Sequence, residues 1–181
     1  MKIKVFFSSL LCMFNIESQA FIFSHSETTS TYYVNRQYLS STQPSYKWKN
    51  GFVYYKINEY HFNQYQISMI KNAMEEIQNA NSVIHFVDVR DKPYVKNYIN
   101  IISGDNCSSV IGMRGIGAQS LSLNTYGCMN HGIILHELMH ALGFNHEQSR
   151  SDRDSYVHYY PQNVQDGKHH NFDKDNEGIL K

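Results

Sequence analysis

The residues HELMHALGFNHEQSRSDRD, His136 to Asp154, constrain this 181-residue chain more than any other stretch. They place three histidines and two glutamates within about a dozen positions, starting inside the apolar run GIILHELMHAL. Titratable groups are costly to bury without a partner, so such crowding calls for a shared purpose. On an α-helix, residues four apart lie on one face a turn apart, so His136 and His140 can aim ring nitrogens at one ion. Gly143 can take the left-handed conformation that ends a helix, and the turn it allows brings His146 toward the same ion from outside the helix. Three imidazoles with a fourth position left for water form the donor set of a catalytic zinc site.

Glu137 suits a different task. Zinc acidifies a water, a neighbouring carboxylate can take its proton, and the same carboxylate can hand that proton to a leaving amine. HExxH alone is a weak pattern, whereas HExxHxxGxxH behind an apolar flank is specific. The competing reading, surface histidines on a helix, leaves Gly143 and His146 unexplained. The flank IIL and residues Leu138, Ala141 and Leu142 read as packing.

At this length one ordinary domain, or two small ones, can bury a real core. A formal net charge of zero argues against long-range attraction to nucleic acid or to an anionic membrane, where a basic face is expected. The N-terminus has the order of an export signal: Lys2 and Lys4, the run VFFSSLLCMF, then Ser18-Gln19-Ala20. The run is too short to span a bilayer, and the rival reading is a buried N-terminal strand. Export places the mature chain where disulfides persist. Cys12 leaves with the signal, and Cys107 and Cys128 remain as an even pair. The simplest reading is one disulfide closing a loop of about twenty residues, worth roughly 3 kcal/mol. Neither cysteine has a second ligand at knuckle spacing, which disfavours a zinc site built on sulfur.

Residues 21–36 are rich in Ser, Thr and Tyr and lack periodicity, as a short leader or propeptide would. From Trp48 the patterns sharpen. GFVYYKI reads as a strand, and NQYQISMIKNAMEEIQNA carries Ile67, Ile70, Met74 and Ile77 on one helical stripe with Glu75 and Glu76 off it. VIHFVDV and NYINIIS are strand-like, divided by DKPY, and His85 reads as an outward strand position rather than a ligand. GMRGIGAQSLSL reads as a glycine-rich loop entering a strand. This order predicts an α+β domain with a mixed sheet, a backing helix and a long active-site helix.

HELMHALGFNHEQSRSDRDSYV meets every fixed position of HExxHxxGFxHExxRxDRDxYV and thereby resembles the astacin signature. Astacins are secreted zinc endopeptidases of the metzincin clan. Cys128 with the following His-Gly, Cys107 with its glycine-rich loop, and Trp48-Lys49-Asn50-Gly51 extend the resemblance over about residues 37–176. It implies a zincin-like N-terminal lobe with one Zn2+ on His136, His140 and His146, and Glu137 as catalytic base. It further implies Cys107 with Cys128 as one family disulfide, and Glu147 as the carboxylate that receives a new N-terminus after a cut near Arg36-Gln37. The expected division is a signal at 1–20, a leader at 21–36 and a protease domain at 37–181. Arg150, Asp152, Arg153 and Asp154 also match, and a surface or structural ion-pair role is the expectation for them.

Three departures accompany the match. The chain has no methionine after Met139, so the Met-turn SxMHY is absent and the C-terminal lobe is expected to be largely missing. Tyr156, Tyr159 and Tyr160 come too early to stand in for the Met-turn tyrosine. Val83 occupies the position of a cysteine in the second family disulfide. The leader offers no aspartate to a metal, and Glu27 or His25 substitutes or nothing does. The expected function is secreted, zinc-dependent hydrolysis of peptide bonds in protein or peptide substrates; the alternative is a zinc-binding but catalytically weak binding or decoy protein. Asn106-Cys107-Ser108 is a glycosylation sequon whose middle cysteine counts against use, and His169-His170 reads as solvated.

Overall fold

The parallel core of the sheet is built from strands whose inward positions are branched or aromatic. In β1 (Phe52–Ile57), Val53, Tyr55 and Ile57 are buried and alternate with less buried neighbours. In β3 (Tyr98–Ile102) the inward pair is Ile99 and Ile101, and in β5 (Ala118–Leu123) it is Leu121 and Leu123. β2 (His85–Asp88) pairs parallel with one side of β1, and β3 pairs parallel with the other. β5 continues the parallel set beside β3, and the short β4 (Cys107–Ser109) closes the sheet antiparallel to β5. The order is β2-β1-β3-β5-β4, a mixed sheet as expected. This computed structural model describes residues 47–174. The signal, the leader and the Arg36-Gln37 cut lie outside the described residues.

α1 (Gln64–Ala80) starts at Asn63, whose side chain accepts from the Gln66 N–H at 2.9 Å while Gln66 Oε1 accepts from the Asn63 N–H at 3.0 Å. That reciprocal pair satisfies two of the amides a helix start leaves open. The predicted stripe is buried, and Ala73 joins it; Glu75 and Glu76 face solvent. α2 (His131–Leu142) is capped by Asn130, whose side chain accepts from the Gly132 N–H at 3.0 Å. Ile134, Leu135, Leu138 and Ala141 of α2 share one core with α1 and with the inward phase of the sheet. Both helices therefore cover the same sheet face. Each fully buried Ile or Leu in that core contributes roughly 1.5–3 kcal/mol relative to exposure.

Two links fix α2 further. Glu76 of α1 meets His131 at 2.6 Å at the start of α2. Cys107 and Cys128 form a disulfide with Cα atoms 5.7 Å apart, tying edge strand β4 to the turn before α2. His85 is exposed at the start of β2, in line with its outward reading. β4 has no signature in the sequence, because Cys-Ser-Ser has no alternation or branched residue to mark it. Among the described residues, no helix is long and apolar enough to cross a membrane.

Candidate metal centre

The stretch of α2 from His136 onward and the residues just after it build the site. Gly143 ends the helix at φ 113°, ψ 7°, the left-handed conformation its position required. The Gly143 N–H donates to the His140 carbonyl at 2.9 Å and the Phe144 N–H to the Met139 carbonyl at 3.1 Å, the paired bonds of a Schellman motif. The chain then reverses, and His146 comes back to the helix face that carries His136 and His140.

The three imidazoles converge through the same atom. The Nε2 separations are 3.0 Å for His136 and His140, 3.1 Å for His140 and His146, and 3.2 Å for His136 and His146. The Nδ1 of His140 lies 2.7 Å from the Phe144 carbonyl oxygen, which can only accept; the ring proton therefore sits on Nδ1 and the Nε2 lone pair faces the triangle. Burial first, then the His140 and His146 rings, pushes His136 down to about 4. Burial also lowers His140, partly offset by its bond to Phe144. Neutral rings are the form that ligates metal.

Three ring nitrogens brought this close make a donor set for a shared cation, and the spacing suits one. Nitrogens 3.0–3.2 Å apart lie about 1.8 Å from their common centre, close enough for all three to hold one ion at the zinc–imidazole distance of ~2.0–2.1 Å. This triad is the group among the described residues that could hold a metal, and His169 and His170 do not form another. The donor set therefore fits zinc.

Glu137 is 4% exposed, and its Oε2 is buried without a hydrogen-bond partner among the described residues, as is Nδ1 of His136. Burial alone pushes the Glu137 carboxyl up to about 7. A carboxyl in that range exchanges protons near neutrality, as an acid–base group must.

Three supports of the triad carry little signal in the sequence. The Trp48 indole donates to the Ala141 carbonyl at 2.8 Å. The Gly112 N–H donates to the His140 carbonyl at 2.9 Å. Gln119 holds that glycine loop from inside the fold, donating to the Gly112 carbonyl at 2.6 Å and accepting from the Arg114 N–H at 3.0 Å. Gln119 was legible in principle: it occupies the inward phase of a strand whose other inward residues are Leu121 and Leu123, where a polar side chain must be satisfied internally.

Beyond His146 the residues of the long motif form a charged strap. Arg150 makes a forked contact with Asp152 at 2.8 and 2.9 Å and reaches Glu147 at 3.2 Å. Burial raises the Glu147 carboxyl, opposed by Arg150. Arg153 is 7% exposed; its guanidinium donates to the carbonyls of Gln148, at 2.7 Å, and Phe172, and lies 5.2 Å over the Tyr159 ring. The ion-pair expectation is met for all four: Arg150 pairs with Asp152, Arg153 with Asp154 at 3.2 Å, and Asp154 also with Lys174 at 2.7 Å. Arg153 is buried rather than superficial. Its chief partners are carbonyls, because backbone that forms no helix or strand leaves acceptors for a buried cation.

An α+β lobe whose second helix carries two histidines one turn apart, with a third returned by a glycine turn, is a metzincin lobe. The chain belongs to the astacin family of peptidases, whose family model, Astacin, matches residues 40–181. It is similar to Embryonic protein UVS.2 of Xenopus laevis, with 47% identity over 105 residues, covering 58% of this chain and 20% of that protein. It is 43% identical over 145 residues to High choriolytic enzyme 2 of Oryzias latipes, covering 77% of this chain and 50% of that one. Among solved structures it resembles High choriolytic enzyme 1, a hatching enzyme zinc-protease from Oryzias latipes, with a TM-score of 0.60 and 39% identity, covering 72% of this chain and 63% of that one. The chain thus spans half or less of the length of these two curated relatives.

Proposed function

We propose that this protein is a secreted zinc endopeptidase in which His136, His140 and His146 hold one zinc ion and Glu137 is the catalytic acid–base. The observation that carries the reading is the Nε2 triangle of 3.0–3.2 Å together with the buried Glu137 carboxyl, whose Oε2 has no partner among the described residues. A zinc ion held there supplies Lewis-acid polarisation of a peptide carbonyl and acidifies a water.

The chain's own residues supply the rest. Glu137 accepts a proton from the attacking water and delivers it to the departing amine, and its position near neutral pH lets it do both. His140 is held in one tautomer by Phe144, so its Nε2 stays a lone-pair donor throughout. Leu138 and the core beneath α2 keep the helix from rotating and fix the relative aim of His136 and Glu137.

The same reading divides the chain into a signal at 1–20, a leader at 21–36 and a protease domain from 37, with protein or peptide substrates. In it Glu147, already beside Arg150, receives the amino terminus exposed by a cut near Arg36-Gln37. N-terminal sequencing of secreted protein tests that division, and a start elsewhere removes the cut.

The deciding experiment is cleavage of a denatured protein by the zinc-loaded chain, with Glu137→Gln as control. Zinc in both and cleavage only by the unaltered chain is the expected result. Zinc in both and cleavage by neither defeats the endopeptidase reading and leaves the zinc-binding, catalytically weak protein.

A further inference from the structure

The sequence holds a single Asn-x-Ser/Thr sequon, Asn106-Cys107-Ser108, which the proposed chemistry does not use. It sits at the corner where the chain enters the edge strand β4. Asn106 and Ser108 are both exposed. The Asn106 carbonyl accepts from the Ser122 hydroxyl at 2.8 Å, which pins the backbone to the sheet. Its Oδ1 accepts from the Ser108 hydroxyl at 3.0 Å, and its Nδ2 has no partner among the described residues. Asn106 is thus an exposed residue, and no bond among the described residues depends on the nitrogen that a glycan would occupy.

We propose that Asn106 is a site of N-linked glycosylation. The inference rests on the export reading, since the modification occurs in a secretory compartment. The donor class is a lipid diphosphate carrying an oligosaccharide. Nδ2 of Asn106 attacks the anomeric carbon; the carbon–nitrogen bond forms as the bond from that carbon to the diphosphate oxygen breaks. The diphosphate leaves with the electron pair, the amide nitrogen loses one proton, and nothing is oxidised or reduced.

The middle cysteine is an obstacle only once it is bonded. Cys107 pairs with Cys128, 21 residues further along the chain. At a synthesis rate of about 5–20 residues per second, Cys128 follows Cys107 by roughly 1–4 s. During that interval the sequon is an open segment that can enter a transferase. Transfer and disulfide closure therefore compete, and delaying closure favours the glycan.

The test is to express the full chain in secreting animal cells and measure its mass before and after peptide N-glycosidase. The unaltered chain and Ser108→Thr lose the mass of one oligosaccharide; Asn106→Gln and Ser108→Ala lose none. Cys128→Ser shows occupancy at least as high as the unaltered chain. A lumenal, unaltered chain without a glycan overturns the inference, as does a glycan found on Cys128→Ser alone. A chain that stays outside the secretory compartment overturns the export reading instead. In that case the full chain with a proven signal appended decides Asn106 by the same mass comparison.

Discussion

His140 holds both ends of the glycine turn: its Nδ1 donates to the Phe144 carbonyl at 2.7 Å, and its own carbonyl accepts from the Gly143 N–H at 2.9 Å. The turn that brings His146 to the triangle therefore also orients His140. Ligand placement and ligand tautomer share one backbone cause, Gly143 at φ 113°.

Gly143→Ala accordingly strains the turn at its source. A side chain at that φ costs about 1–3 kcal/mol, so the thermal midpoint of the metal-free protein falls. Zinc affinity falls with it, because His146 and the Phe144 carbonyl move together. Chelator competition measures the second effect, and unchanged affinity would show that the turn does not govern the triad.

Glu137→Gln separates metal binding from chemistry. Zinc binding stays within a few-fold, and cleavage falls about 10²–10⁴-fold, the usual contribution of an acid–base group. The same variant has a stability signature. With its pKa raised from 4.5 to about 7, Glu137 holds its proton more tightly in the folded than in the unfolded chain. The metal-free protein therefore loses stability as pH rises from about 4.5 to 7, and Gln at this position flattens that slope. Urea unfolding across this pH range measures the difference.

Removing the disulfide with Cys107→Ser and Cys128→Ser together costs about 3 kcal/mol in the chain-entropy model. The loss should be local as well as global, because the bond ties β4 to the approach of α2. Hydrogen exchange at the first turn of α2 reports the local part, and protection equal to that of the unaltered protein would contradict it.

Arg153 is the single buried side chain between residues 147 and 174. Arg153→Ala leaves the Gln148 and Phe172 carbonyls without their donor and should cost roughly 2–4 kcal/mol. Limited proteolysis is the sensitive readout: cleavage within 154–172 should accelerate while the sheet and both helices stay protected.

The two carboxylates on Arg150 respond to acid in opposite senses. Asp152 is held below its ordinary value, chiefly by its hydrogen bonds to Arg150, so its contribution is present above the unfolded pKa of 3.8 and is lost as pH falls through the lower folded value. Glu147 is raised by burial, so the proton favours its folded form. Acid unfolding curves of Asp152→Asn and Glu147→Gln should shift in opposite directions, and parallel shifts would show that the two do not act separately.

Local spacing made the site legible because its geometry is local. A four-residue interval places His136 and His140 on one face, and a glycine three residues on can return His146, whatever the rest of the chain does. The stripe of α1 and the inward phase of β1, β3 and β5 were readable for the same reason, since burial of one face imposes its period on the sequence. β4 was not: three residues, Cys-Ser-Ser, are a strand only because β5 offers them an edge.

By itself the sequence determined which three histidines converge, the helix that carries two of them, the cysteine pair available for bonding and the α+β class. These depend on residue type and interval along the chain. Tertiary structure alone decided that β5 lies between β3 and β4, that the Gln119 amide finds its partner in the Gly112 carbonyl, and that Trp48 reaches the carbonyl of Ala141, 93 residues away. It also decided that Arg153 is buried rather than solvated. Those contacts join positions whose separation carries no period, so only packing can bring them together.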